Sequence, residues 1–190
     1  MTNSILLVDD EQSVISALRR ALMEESYDIF TANSGTEGLS ILKSNRIKLV
    51  ISDEKMPGMS GTEFLTTVKN LFPSTIRIML TGHANIQSAM SAVNNGEIYR
   101  FFAKPWDDLE IKLSIKSAID KFNIEEENRR LLKTVKRQAS ELQELEMKHP
   151  GITNLERDEF GNVILQDIPD SDKDISDIVT DIISQSNINK

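Results

Sequence analysis

The sequence predicts a doubly wound α/β fold with a five-stranded parallel sheet. Short apolar runs alternate with amphipathic stretches through the first two thirds of the 190-residue chain. Continuous apolar runs of this length are typical of strands buried on both faces of a parallel sheet. Regular alternation of strand and helix is typical of open doubly wound sheets. The predicted strands are residues 5–8, 29–30, 49–51, 76–80 and 101–103.

Helical patterns fill the intervals between the predicted strands. Apolar residues recur at helical spacing in stretches that begin at Val14, Phe64 and Ile86. The segment 33–38, Asn-Ser-Gly-Thr-Glu-Gly, has the composition of a phosphate-binding loop, but it follows the second strand rather than the first. We interpret it as the capped start of a helix.

Composition restricts the function classes. A formal net charge of −8 does not favour nucleic-acid binding. No apolar run approaches the roughly 18 residues of a transmembrane helix, and the N-terminus lacks the basic region of a signal peptide. The absence of cysteine excludes disulfides and Cys-based zinc sites. We therefore expect a cytoplasmic protein without nucleic-acid or membrane partners.

Polar residues directly follow four of the predicted strands. They are Asp9-Asp10, Asp53, Thr81 and Lys104-Pro105. Open α/β sheets bind ligands just beyond the carboxyl ends of their strands. An aspartate pair after a strand is often only a helix cap, so the prediction depends on the whole set. Three carboxylates, a hydroxyl and an ammonium at one edge predict a Mg²⁺-dependent phosphate site.

Each residue of this set has a chemical reason to be there. Mg²⁺ prefers hard oxygen ligands and usually keeps several waters, so Asp10 and Asp53 can supply carboxylates while Asp9 holds a coordinated water. A divalent cation also relieves the repulsion among these carboxylates. Lys104 would pair with one phosphate oxygen and Thr81 would donate a hydrogen bond to another.

The bond that precedes Pro105 is a candidate cis peptide, because cis peptide bonds are largely confined to X-Pro. A cis bond there would direct the side chain of Lys104.

Residues 1–122 resemble the receiver domain of two-component response regulators. The matching segments are ILLVDDE, ISDEKMPGMSG, IMLTGH and RFFAKPW, in that order. The resemblance implies a flavodoxin-like (βα)5 fold with Asp53 as the phosphoacceptor. The phosphoryl donor would be a phosphohistidine on a sensor histidine kinase or a histidine phosphotransfer protein. Mg²⁺ would bind Asp10, Asp53 and the main-chain carbonyl of Lys55, with Asp9 assisting.

The resemblance also assigns roles to residues around the phosphate. Thr81 and Lys104 would contact the phosphoryl group, and Phe101 would turn inward in the phosphorylated state. A phenylalanine here lacks the phenolic hydroxyl of the tyrosine found in many relatives. Lys55 and His83 occupy positions that tune the lifetime of the acyl phosphate in the family. Apart from self-catalysed phosphotransfer and autodephosphorylation, no enzyme activity is expected.

Three other functions are alternatives to this interpretation. A phosphohydrolase of the haloacid-dehalogenase type would need a second aspartate two residues after the nucleophile, where this chain has Lys55. A flavin-binding flavodoxin would need its phosphate loop after the first strand, where Asp9-Asp10 stands. A regulator of cyclic-dinucleotide signalling in trans is the third, because RFFAKPW resembles receivers that are often joined to such modules. No sequence motif of such a catalytic module follows the receiver-like segment in this chain.

The C-terminal third divides into two further segments. Residues 123–149 are predicted to be helical, and their seam positions alternate in spacing between three and four residues. These positions are Ile124, Asn128, Leu131, Val135, Gln138, Leu142 and Leu145. A coiled-coil homodimer is the preferred interpretation, and the alternative is a helical extension packed on its own domain. Residues 150–190 are predicted to be an acidic accessory element with a hairpin and a helix.

Overall fold

The computed structural model describes residues 3–82, 90, 93 and 98–149. The strands within these residues are β1 (Asn3–Val8), β2 (Tyr27–Ala32), β3 (Leu49–Asp53), β4 (Ile76–Thr81) and β5 (Arg100–Ala103). The helices with described bounds are α1 (Gln12–Ala21), α2 (Gly35–Ser44), α3 (Gly61–Leu71) and α4 (Asp108–Lys148). Met90 and Val93 are helical, and the rest of the helix predicted around them lies outside the described residues.

The five strands form one parallel sheet in the order β2-β1-β3-β4-β5. The predicted fold class is therefore confirmed. The register aligns the carboxyl ends of the strands: Val8 lies opposite Ser52, Asp53 opposite Leu80, and Thr81 opposite Ala103. Because the ends align, the residues that follow the strands meet at one edge of the sheet.

Both faces of the sheet are buried. Side chains alternate between the two faces along a strand. Ile5 of β1 belongs to a cluster that includes residues of α1 and α4, such as Leu18 and Ile115. Leu6 belongs to a second cluster with residues of α2 and α3, such as Leu42 and Phe64. This two-sided burial is why the strands read as continuous apolar runs rather than as alternating patterns.

Helix starts are specified by local capping. The hydroxyl of Ser34 accepts a hydrogen bond from the Glu37 N–H at 3.3 Å, so the predicted capped start within 33–38 is confirmed. At α3 the hydroxyl of Ser60 accepts from the Glu63 N–H at 3.2 Å, and the Glu63 carboxylate accepts from the Ser60 N–H at 2.9 Å. This capping box fixes the start of α3 next to the end of β3.

A buried lysine fastens α4 to the opposite, amino-terminal edge of the sheet. The ammonium of Lys48 donates to the side-chain oxygens of Asn3 and Asn123, each at 2.8 Å. Nearby, Arg46 and Glu126 form an ion pair at 2.6 Å. Burial lowers the pKa of Lys48, and the neighbouring charge of Arg46 adds to that effect. These contacts hold the helix where its buried stripe ends at Phe122.

The chain divides into two compact units, Met1–Lys133 and Thr134–Lys190. Helix α4 ends at Lys148, close to the predicted break at Pro150. Phe122 is the last buried residue of α4, and the seam residue Ile124 is 63% exposed. The predicted domain boundary at residue 122 remains a prediction. The hairpin and helix predicted for residues 150–190 lie outside the described residues.

Across the described part of the chain, no helix combines the length and the apolar character needed to span a bilayer.

Candidate functional site

Asp9 is the most deeply buried carboxylate at the carboxyl edge of the sheet. It directly follows β1, and the residue is 1% exposed. Its Oδ1 accepts a hydrogen bond from the Glu11 N–H at 2.8 Å. Burial raises the pKa of Asp9, while hydrogen bonds from Lys104 and Glu11 act in the opposite direction. Burial therefore destabilises the negative charge of Asp9, and a nearby cation stabilises it.

Lys104 supplies that cation to two carboxylates at once. Its Nζ lies 2.9 Å from Oδ2 of Asp9 and 2.5 Å from Oδ1 of Asp53. Burial alone would lower the pKa of Lys104, but the hydrogen bonds to Asp53 and Asp9 outweigh it and raise the pKa above its usual range. Lys104 is therefore a stable ammonium at neutral pH.

The backbone around Lys104 joins it to the neighbouring strand. Its N–H donates to the Thr81 carbonyl at 2.8 Å. The Lys104–Pro105 peptide bond is cis, as the sequence suggested.

Asp53 is the last residue of β3 and is 6% exposed. Its Oδ2 accepts a hydrogen bond from the Lys55 N–H at 2.6 Å, while Oδ1 contacts Lys104. One carboxylate oxygen is thus held by the backbone and the other by an ammonium. Lys55 itself is exposed, and its predicted role as a carbonyl ligand remains a prediction.

The first residue of α3 packs directly on the backbone of Asp53. The Gly61 N–H donates to the Glu54 carbonyl at 2.8 Å. A Cβ at Gly61 would lie 2.0 Å from the carbonyl oxygen of Asp53, so only glycine fits. Sequence reasoning gave Gly61 no role, although the glycine stood within the ISDEKMPGMSG segment.

Thr81 is fully buried at the end of β4, and its partner was not predicted. Its hydroxyl donates to Oε2 of the half-buried Glu54. The Gly82 carbonyl lies 3.2 Å from the same hydroxyl. One sequence feature could have identified Glu54: it directly follows Asp53, at the strand end that the ISDEKMPGMSG segment contains.

The remaining predicted residues are placed differently. Asp10 is exposed. Phe101 lies in β5, is partly buried, and packs against the second core cluster, which contains Met79 and Ile98. His83 lies outside the described residues, so its predicted influence on phosphate lifetime remains a prediction.

The oxygen donors among the described residues suit a hard divalent cation, although they do not form a complete set of ligands for one. No group of three carboxylate or histidine side chains there is arranged to hold a metal ion. Lys104 pairs with both Asp9 and Asp53, and Asp10 is exposed. Mg²⁺ needs only one or two carboxylates together with waters. Two buried carboxylates that share a cation form a suitable donor set.

A five-stranded parallel sheet with aspartates, a threonine and a lysine at its carboxyl edge agrees with the receiver-type fold that the sequence resembles. Residues 5–116 match the family model of the response regulator receiver domain, so the chain belongs to this family. Members of the family are response regulators of two-component systems.

Similar proteins differ in how much of their length this chain spans. It is 32% identical over 116 residues to sporulation initiation phosphotransferase F of Bacillus subtilis, covering 61% of this chain and 93% of that protein. It is 30% identical over 128 residues to the hydrogenase transcriptional regulatory protein HoxA of Cupriavidus necator, covering 67% of this chain. The match covers 26% of HoxA, so the chain spans about a quarter of that relative.

A solved structure shows the same fold. A chain described as the adenylate cyclase from Rhodopirellula baltica superposes with a TM-score of 0.66 at 36% identity. The match covers 70% of this chain and 98% of that one.

Proposed function

We propose that this chain is a phosphorelay response regulator in which Asp53 accepts a phosphoryl group from a phosphohistidine. The donor is a sensor histidine kinase or a histidine phosphotransfer protein. One observation carries the proposal: the carboxylates of Asp9 and Asp53 share the ammonium of Lys104 at the carboxyl edge of the sheet. Thr81 ends the adjacent strand.

The chemistry follows from this arrangement. A carboxylate oxygen of Asp53 attacks the phosphorus, the P–N bond to the donor imidazole breaks, and its electron pair leaves with the imidazole. Asp53 becomes an acyl phosphate. The Lys55 N–H holds Oδ2 of Asp53, so it orients the carboxylate for attack. Lys104 lies 2.5 Å from the attacking group and can pair with a phosphoryl oxygen.

The proposed cofactor is Mg²⁺. Asp10, Asp53 and the Lys55 carbonyl would hold it, with Asp9 assisting through a coordinated water. When bound, the ion neutralises charge on the incoming phosphoryl group. The support is chemical: a buried carboxylate whose pKa is raised by burial, beside a second buried carboxylate, favours a nearby cation.

Lys104→Met is expected to tighten Mg²⁺ binding. The Lys104 ammonium pairs with Asp9 and Asp53, two of the carboxylates that would hold or assist the ion, so the two cations would disfavour each other. Removing this positive charge from beside the two carboxylates should lower the Mg²⁺ dissociation constant by about tenfold. Isothermal titration calorimetry measures the change. Lys116→Met, which removes an exposed lysine, is the control and should leave the constant unchanged. Equal or weaker binding by Lys104→Met would show that the two cations do not compete.

Acetyl phosphate tests the proposed function directly. The protein with Mg²⁺ and acetyl phosphate should gain one phosphoryl group by intact mass, and hydroxylamine should remove it because it is an acyl phosphate. Chelation of the metal should prevent the gain. Rapid turnover of small phosphoesters would instead support a phosphohydrolase. No incorporation, with an intact fold, would exclude the proposal.

Phosphorylation is proposed to act by shifting a conformational equilibrium. The phosphoryl group would draw in the Thr81 hydroxyl, and Phe101 would turn inward. Such a signal requires that the phosphate stabilise one conformation over another by a few kcal/mol. Phe101 is only partly buried in the described structure, so further burial of its ring is available.

We further propose that the helical extension 123–149 forms a homodimer. Its apolar seam residues are exposed in α4, with Leu131 at 51%, Val135 at 59% and Leu142 at 55%. Exposed apolar residues at alternating spacings of three and four residues are suited to knobs-into-holes packing with a second copy. Output through protein–protein contact is consistent with the net charge of −8.

Val135→Glu is expected to disrupt this dimer. Val135 occupies an a-type (core-facing) position of the seam. A glutamate there would be desolvated by the partner helix and repelled by the same glutamate of the second copy. The dimer dissociation constant should rise by at least about a hundredfold, which light scattering or sedimentation detects as monomer. Lys136→Glu, one position off the seam, is the control. A wild-type chain that is monomeric with and without a phosphate mimic would contradict the dimer proposal.

The proposal includes no catalysis beyond phosphotransfer to Asp53 and its self-catalysed reversal. It places the chain in the cytoplasm, where kinases that use ATP carry their phosphohistidines. The segment 150–190 is proposed to be an acidic accessory element. If the purified chain synthesised a cyclic nucleotide or cyclic dinucleotide in an assay, the proposed absence of further catalysis would be contradicted.

A further inference from the structure

Glu54 is held in a fixed position between the ends of β3 and β4. Its N–H donates to the Leu80 carbonyl at 2.9 Å, and its own carbonyl accepts from the Gly61 N–H at 2.8 Å. Both main-chain groups are therefore satisfied by neighbouring elements. From this position the side chain reaches Thr81 and accepts the hydrogen of its hydroxyl.

The Thr81 hydroxyl has one hydrogen to donate. It is fully buried, so water does not compete freely for it. While Glu54 holds this hydrogen, the hydroxyl cannot donate it to a phosphoryl oxygen on Asp53. We propose that Glu54 is a positioning residue that holds the Thr81 hydroxyl in the unphosphorylated state and competes with the phosphoryl group for its hydrogen bond. This inference rests on the proposed function of Asp53.

Electrostatic repulsion favours the phosphoryl group over Glu54 as the acceptor of the Thr81 hydrogen bond. A phosphoryl group adds roughly −1.5 to −2 charge beside Glu54, so the carboxylate is repelled as the phosphate arrives. Among the described residues Glu54 forms no ion pair with a lysine or arginine, because Lys104 pairs with Asp9 and Asp53. The side chain is also only half-buried. It can therefore leave Thr81 and be solvated, which releases the hydroxyl.

Glu54→Ala and Glu54→Gln separate the hydrogen bond from the charge. Alanine removes both, whereas glutamine keeps an acceptor oxygen and removes only the charge. Beryllofluoride, with Mg²⁺, serves as the phosphoryl mimic, and ¹⁹F NMR titration measures its affinity. We expect binding about tenfold tighter for Glu54→Ala and about threefold tighter for Glu54→Gln, because the competing bond involves a charged acceptor. Glu24→Ala, which removes an exposed carboxylate, should match the wild type.

A double substitution tests whether Glu54 acts through Thr81. Thr81→Val removes the hydroxyl and keeps the shape. In that background Glu54→Ala should tighten beryllofluoride binding by no more than about threefold, the part due to loss of charge repulsion, instead of about tenfold. A second measurement needs no metal. In the metal-free protein, three-bond couplings should show one side-chain rotamer for Thr81, and more than one in Glu54→Ala.

The outcomes distinguish this inference from the proposed function. A folded wild-type chain that binds no beryllofluoride would overturn the phosphoacceptor role of Asp53, and the Glu54 inference with it. Normal wild-type binding with no gain in Glu54→Ala would overturn the Glu54 inference alone. An equal gain in the Thr81→Val background would also overturn it, because the effect would then not pass through the hydroxyl.

Discussion

Asp53→Asn is expected to reduce phosphorylation by acetyl phosphate to less than about 1% of the wild-type level, because an amide oxygen is a poor nucleophile. The substitution is nearly isosteric. Its side-chain oxygen can still accept a hydrogen bond from the Lys55 N–H or from Lys104. The loss should therefore be chemical rather than structural, and intact mass with a hydroxylamine treatment measures it.

Asp28→Asn provides a matched control for Asp53→Asn. Asp28 is an exposed aspartate in β2, so its substitution removes the same charge without touching the site. The control should incorporate one phosphoryl group, as the wild type does. If Asp53→Asn still gained a single hydroxylamine-sensitive phosphate, the phosphoacceptor would have to be another carboxylate, and Asp9 or Asp10 would be the first to examine.

Gly61→Ala is expected to cost about 3 kcal/mol of unfolding free energy, the upper range for overpacking. The added Cβ would lie 2.0 Å from the Asp53 carbonyl oxygen and 2.8 Å from the Glu54 Cα. Both are backbone atoms, so neither can rotate away as a flexible side chain would. Either α3 or the end of β3 must move, and the second movement would also displace the Asp53 carboxylate. Urea unfolding with linear extrapolation measures the loss.

The control for this substitution is Gly82→Ala. Among the described residues, a Cβ there meets no atom within 4 Å, so the free energy of unfolding should change by less than about 0.5 kcal/mol. A comparable loss in both variants would mean that glycine is needed for backbone freedom rather than for close packing. A preserved stability in Gly61→Ala would show that the α3–β3 approach can relax.

The sequence was most informative where burial acts on both sides of a strand. β1 and β3 read as strands because Ile5, Leu7, Leu49 and Ile51 are fully buried. β2 was predicted as only two residues, whereas it spans Tyr27–Ala32. Its inner partner is β1 alone and most of its residues are only partly buried. An edge strand carries a weaker apolar pattern because solvent reaches part of it.

The site was predictable to the extent that strand ends define it. Asp9, Asp53, Thr81 and Lys104 each follow or end a strand, and parallel pairing brings such positions to one edge. What could not be predicted is which polar group each one contacts. Side-chain partners depend on distances of a few tenths of an ångström, and these are set by how α3 and β5 pack rather than by any local pattern.

The sequence by itself determined the doubly wound sheet, the position of the proposed phosphate site and the long polar helix after the last strand. These features follow from apolar periodicity and from the directionality of parallel strands. Only the tertiary structure decided that Lys104 is shared by Asp9 and Asp53, that Gly61 must lack a side chain, and that Glu54 holds the Thr81 hydroxyl. Those contacts join residues from separate strands and helices, so they exist only after the elements have packed together.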